Sequence, residues 1–184
     1  SSYMLKIEEG TPLSKSELRF LCADEEKVSD FYLFACEELS KRGFEQYEIS
    51  NFAKDGKRAF HNTRYWLDDE YVGIGPSAHS FMEGRRFYCG RSIKDFLEKP
   101  FSENETEESS GGGWEEFAML RLRLTDGLDI FELAEKFLEV NAEEILENAR
   151  PFEKPGLLKI NGSKISFTPK GFLLSNALTA EILY

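Results

Sequence analysis

His61 and His79 are the only imidazoles in the chain. Imidazole ligates iron and titrates near neutral pH. His61 opens the run His61-Asn62-Thr63-Arg64-Tyr65-Trp66, which sets that ring beside two large aromatic faces and a cation. Flat rings stack on a porphyrin plane, and a guanidinium pairs with a carboxylate such as a propionate. The plainer reading has His61 and Asn62 bonding loop backbone while Tyr65 and Trp66 fill a core. His79 lies in Gly73-Ile74-Gly75-Pro76-Ser77-Ala78-His79-Ser80. Glycines at a strand end let a backbone approach a ligand closely. The plainer reading there is a tight strand-to-helix turn. The Lys-Ser/Thr ending of a phosphate loop is missing from it.

Three further groups are chemically capable. Glu48 and Asn51 sit in a polar motif flanked by aromatics. They form either a satisfied structural network or the edge of a site. Arg85 and Arg86 follow the glycine stretch. They either meet carboxylates of a ligand or are ion-paired at the surface. Cys22, Cys36 and Cys89 are odd in number and widely spaced, with no metal-ligand spacing. They read as small hydrophobes in a reducing cytoplasm.

The elements that would position these groups follow from pattern. Tyr3 to Ile7 alternates like a strand. Asp24 caps a helix with an apolar stripe at Val28, Phe31, Phe34, Ala35 and Leu39, ended by Gly43. Phe44 to Phe52 is extended, His61 to Trp66 has no clear period, Tyr71 to Ile74 is a short strand, and Ser92 to Leu97 is a short helix. Glu98 to Gly113 is acidic, then rich in Ser and Gly, which predicts a flexible linker and a domain boundary. Trp114 to Leu124 is a helix, and Leu128, Phe131, Ala134, Phe137 and Leu138 stripe a second. Asn141 caps a third. Asn161-Gly162-Ser163 turns a hairpin, and Thr168-Pro169 opens a closing helix. Three helices, a hairpin and a helix resemble a winged-helix module.

Composition narrows the uses. The 184 residues carry 16 Phe and are 41% apolar, enough for a core. The net charge of -11 makes phosphate backbones and anionic membrane surfaces poor partners, so a partner-docking or lid role suits the C-terminal module better than DNA binding. No apolar run has the length of a membrane span, and no signal peptide opens the chain. The opening Ser1-Ser2-Tyr3, without Met, leads straight into a strand pattern and gives the expectation of a truncated chain.

Three stretches in order, Tyr47-Glu48-Ile49-Ser50-Asn51-Phe52-Ala53, His61 to Trp66 and Gly73 to Ser80, resemble the oxygen-independent coproporphyrinogen III oxidase family of radical-SAM proteins, on its HemW-like heme-chaperone branch. Ile7-Glu8-Glu9-Gly10-Thr11-Pro12-Leu13, Leu120-Arg121-Leu122-Arg123-Leu124 with Gly127-Leu128, and Phe167-Thr168-Pro169-Lys170-Gly171 extend the likeness over nearly the whole chain. The resemblance implies an α/β (α+β) fold. Residues 1–97 would be the C-terminal portion of a partial (β/α) TIM-like barrel, 98–113 an acidic Gly/Ser linker, and 114–184 a helical winged-helix-like domain.

The resemblance also assigns roles. His61 becomes a possible heme-iron ligand, with Asn62, Tyr65 and Trp66 shaping the heme pocket. Lys6, Gly73, Gly75, Ser77, Ala78 and His79 face S-adenosyl-L-methionine, largely through backbone. The family's Cys-x-x-x-Cys-x-x-Cys, which holds a [4Fe–4S] cluster, has no counterpart in this sequence. The cluster and S-adenosyl-L-methionine therefore belong to a full-length parent, and this chain alone is expected to be inactive. The implied partners are heme or another tetrapyrrole and heme-accepting proteins, in the cytoplasm. Self-association through an exposed barrel edge is also expected. An oxidase that decarboxylates coproporphyrinogen III to protoporphyrinogen IX, and a non-catalytic scaffold, remain the alternatives.

Overall fold

The computed structural model describes residues 1–99 and 105–184. After a short helix α1 (Pro12–Lys15) and a 3-10 turn (Glu17–Leu21), the long helix α2 runs over Glu25–Lys41. Asp24 starts it by accepting the Lys27 amide. Gly43 follows in the left-handed conformation, with φ 78°. Strands β1 (Phe44–Gln46) and β2 (Phe52–Lys54) pair antiparallel. Helix α3 (Phe60–Trp66) comes next. Strands β3 (His79–Met82), β4 (Arg85–Cys89) and β5 (Glu105–Ser110) form an antiparallel sheet in that order, with helix α4 (Ile93–Glu98) between β4 and β5.

The remainder is α5 (Trp114–Arg121), β6 (Leu128–Asp129), α6 (Ile130–Lys136), α7 (Ala142–Ala149), β7 (Leu158–Asn161), β8 (Lys164–Phe167), α8 (Pro169–Leu173) and α9 (Ser175–Leu183). Strand order in its sheet is β6-β8-β7, all antiparallel. The capping signals act as the sequence predicts. Asn141 accepts the Glu144 amide and donates back to the Glu144 carboxylate, and Thr168 accepts the Gly171 amide. The core gathers Phe117, Leu122, Leu128, Leu133, Ile145 and Ile165, together with Tyr32 and Cys36 from α2 and Ile49. It therefore draws side chains from both sides of the acidic stretch. Each fully buried aliphatic side chain contributes about 1.5–3 kcal/mol.

Several expectations fail. Tyr3 to Ile7 forms no strand, since no neighbouring strand pairs with it among the described residues. In the stretch Tyr71 to Ile74 only Tyr71 makes a β-bridge, to Phe81. His61 to Trp66 is helical rather than irregular. The stretch expected as a linker contains β5, whose backbone completes a sheet with β4, while 100–104 lie outside the described residues. On α2 the predicted stripe is not the buried face: Phe31 and Phe34 are each 63% exposed, and Tyr32 and Cys36 go inward. On α6, Ile130 and Leu133 are buried while Phe131 is exposed. Among the described residues no helix is long and apolar enough to cross a membrane.

Candidate functional site

Helix α3 carries most of the candidate residues, and its geometry sorts them. Residues four apart lie on one face. His61 and Tyr65 are such a pair: Tyr65 Oη lies 2.7 Å from His61 Nε2, with the rings edge-on at 4.9 Å. Tyr65 in turn meets Tyr71 edge-on at 4.5 Å. His61 is exposed and Tyr65 half-buried. Asn62 and Trp66 form the next row. Asn62 Nδ2 donates to Tyr47 Oη at 3.4 Å, and the Trp66 ring carries the Arg123 guanidinium at 4.3 Å. Arg64 lies over the Phe60 ring and pairs with Asp69 at 3.3 Å. The helix thus presents one solvent-facing row with an imidazole and one inward row with an indole.

The floor beneath the inward row is the segment from Tyr47 to Asn51. Glu48 is 1% exposed, and its Oε1 accepts the Ser50 amide at 2.8 Å and the Asn51 side-chain amide at 2.5 Å. Asn51 also accepts the Ser1 hydroxyl and donates to Tyr3 Oη at 3.4 Å. Of the two readings open for Glu48 and Asn51, the satisfied structural network is the one formed. Glu48 bridges Leu124, and the Thr125 amide donates to the Tyr47 carbonyl at 3.1 Å. The segment after α5 is therefore stitched to this floor. Arg58 clamps the same seam with a bidentate pair to Asp126, which holds that carboxyl below its usual range.

The glycine stretch is a turn fastened to β4. The Ser77 amide donates to the Cys89 carbonyl at 3.1 Å, and the Cys89 amide donates to the Ala78 carbonyl at 2.9 Å. Gly75 has φ 116° and Ser77 φ 63°. At Gly73 a Cβ would run into the His79 carbonyl oxygen, so only glycine fits. The turn feeds a strand, β3, and not a helix. His79 is exposed, its ring 5.3 Å from Tyr88. Lys6 pairs with Glu8 at 3.0 Å in solvent, and no hydrogen bond or ion pair among the described residues joins it to the turn. Lys6 and the glycine stretch are thus not brought together by direct polar contact.

Of the two arginines, Arg85 is exposed and Arg86 is a structural hub. Arg86 bonds Glu116 at 2.7 Å, Asp68 at 3.3 Å and Tyr71 Oη at 3.3 Å, over the Phe81 ring at 4.3 Å. Burial pushes the Asp68 carboxyl upward despite that cation. A cleft of about 340 Å³ is lined by Tyr3, Met4, Leu5, Val28, Phe31 and Tyr32 among others, and not by His61 or the glycine turn. Among the described residues no group of His, Cys, Asp and Glu is arranged to hold a metal ion.

Residues 113–174 match the family described as the HemN C-terminal domain. Along 167 residues the chain is 30% identical to the heme chaperone HemW of Bacillus subtilis, covering 86% of this chain and 43% of that protein. Along 187 residues it is 30% identical to HemW of Lactococcus lactis, covering 98% and 49%. The fold superposes on coproporphyrinogen III oxidase (HemN) from Escherichia coli, described as a radical SAM enzyme, with a TM-score of 0.62. That match has 16% identity and covers 88% of this chain and 42% of that one. The chain is thus similar to HemW heme chaperones along most of its length, and its residues 113–174 carry a HemN C-terminal domain. It spans about half the length of these HemW relatives.

Within this HemW/HemN-like chain, the matched region 113–174 begins at the N-cap of α5 and runs through α8. It includes Arg123, which sequence reading passed over as a mere part of a supporting motif. The contact between Arg123 and Trp66 joins that matched region to α3. The signal available in sequence was the alternation Arg121-Leu122-Arg123-Leu124, in which Leu122 and Leu124 are buried and the arginines half-buried.

Proposed function

We propose that this chain supplies the heme-facing wall of a HemW-like heme chaperone, with His61 as the iron ligand. The observation that carries the reading is the composition of α3: an exposed imidazole, a tyrosine and a tryptophan in two adjacent rows, with Arg64 at its C-terminal end. These residues suit a flat, anionic, iron-bearing ring. Heme, when bound, supplies an iron that accepts a nitrogen lone pair. The role of the chain is to offer His61 for it, to set Tyr65 against the ring with Trp66 shaping the pocket from the inward row, and to leave a cation near the propionates. The Tyr65 hydroxyl occupies His61 Nε2, so ligation through that atom requires this hydrogen bond to open first.

In this reading residues 1–97 continue a partial barrel, and Gly73, Gly75, Ser77, Ala78 and His79 face the nucleoside of S-adenosyl-L-methionine through backbone, with Lys6 on the same side. The cluster and the bound nucleoside belong to a protein of the relatives' full length. Residues 114–184 act as a winged-helix-like docking module toward heme-accepting proteins. Support comes from the tight, backbone-pinned turn and from the cap-and-hairpin build of the C-terminal part.

The test is a hemin titration of the chain and of His61→Ala, read in the Soret band. The expected result is a ligated band in the wild type that is lost in the variant. Identical spectra would remove His61 from the role.

A further inference from the structure

The Arg123 guanidinium is placed unusually for a charged group. It lies over the Trp66 indole, its central carbon 4.3 Å from the ring centre, and is half-buried. It makes no hydrogen bond or ion pair among the described residues, and its Nε is enclosed without an acceptor. The Trp66 indole Nε1 beside it is likewise enclosed without an acceptor. Two neighbouring donors thus lack the one thing both need. Burial lowers the guanidinium's affinity for its proton, opposed only by the field of Glu48. Glu48 makes no bond to it, and its Oε1 accepts from Ser50 and Asn51. A desolvated cation lacking a bonded counter-charge is costly, and the donor fork of a guanidinium held over an aromatic ring suits a planar, two-oxygen acceptor. The other chain cations nearby are engaged: Arg58 with Asp126, Arg64 with Asp69 and Arg121 with Glu132.

We infer that Arg123, held on Trp66, is a carboxylate-binding site, and that its ligand is a propionate of the tetrapyrrole. The inference rests on the heme-facing reading of α3 and adds a second propionate contact to the one that reading places at Arg64. It ties the end of α3 to the segment after α5, so a tetrapyrrole would bridge the two parts of the chain. The rival account is that Arg123 merely offsets the buried charge of Glu48. That account predicts a stability effect and no ligand selectivity.

The experiment titrates the full chain with iron-free mesoporphyrin IX and with its dimethyl ester, following Trp fluorescence. The diacid should bind about tenfold tighter than the ester, and Arg123→Gln should bring the diacid down to the ester's affinity. Arg123→Lys should restore part of the difference. Succinate competing as well as the diacid itself would mean a general carboxylate site rather than a tetrapyrrole one. Equal binding of diacid and ester by the wild type, an unchanged ratio in Arg123→Gln, or no binding of either porphyrin would overturn the inference. Hemin spectra indifferent to His61 with the diacid preference intact would remove iron ligation alone and leave this site standing. Melting curves of both variants separate loss of fold from loss of the contact.

Discussion

One hydrogen bond at α3 sets a measurable competition. The Tyr65 hydroxyl engages His61 Nε2, the atom that an iron would take. A hydrogen bond of this kind is worth about 1 kcal/mol net. Tyr65→Phe removes that bond and keeps the aromatic face. Its hemin affinity is therefore predicted to rise by about fivefold, measured by Soret titration beside the wild type. Weaker binding in Tyr65→Phe would mean that the hydroxyl contributes to the bound state. The types of these residues were legible in the sequence, but their pairing was not. With no period assigned to His61 through Trp66, nothing predicted which residues stand four apart on a helix.

At the scale of elements, punctuation was readable wherever a side chain or a glycine supplies it. Asp24, Asn141 and Thr168 each accept a first-turn amide, and the turn at Gly162 joins two registered strands. Helix α3 begins at Ala59 with no side-chain cap, so it carries no start signal. The β3–β4 hairpin turns on Glu83 and Gly84, both at positive φ, where an Asn-Gly pair would have announced it. Apolar periodicity misled on α2 because that helix has two apolar faces, and only the one with Tyr32 and Cys36 meets this core. Close backbone approach is a further element-scale constraint. Gly171, on α8, sits against the Leu157 carbonyl with no room for a methyl group. Gly171→Ala is predicted to cost about 1–3 kcal/mol, seen as a lower urea midpoint at unchanged slope. An unchanged midpoint would show that the Leu157 carbonyl, just before β7, can move aside freely.

For the whole molecule, the exposed apolar side chains concentrate toward the N-terminal third: Tyr3, Leu5, Phe20, Leu21, Phe31 and Phe34. Large exposed apolar patches promote association. The chain is predicted to self-associate, with a light-scattering mass that rises with concentration, while a Phe31→Asp, Phe34→Asp variant stays monomeric. A wild type that remains strictly monomeric at high concentration would count against this. The mixed α/β character was legible because the ordered motifs cover nearly the full length. The seam between the two parts was not, since it is made by contacts such as Tyr47 with Thr125 that are far apart in sequence and carry no local pattern.

Arg86 adds a further link between the two parts, holding Glu116 on α5 with one nitrogen and Asp68, just past α3, with another. Such a clasp couples the two helices mechanically. A displacement of α5 would be carried by Arg86 to the C-terminal end of α3, with no contact needed at the imidazole itself.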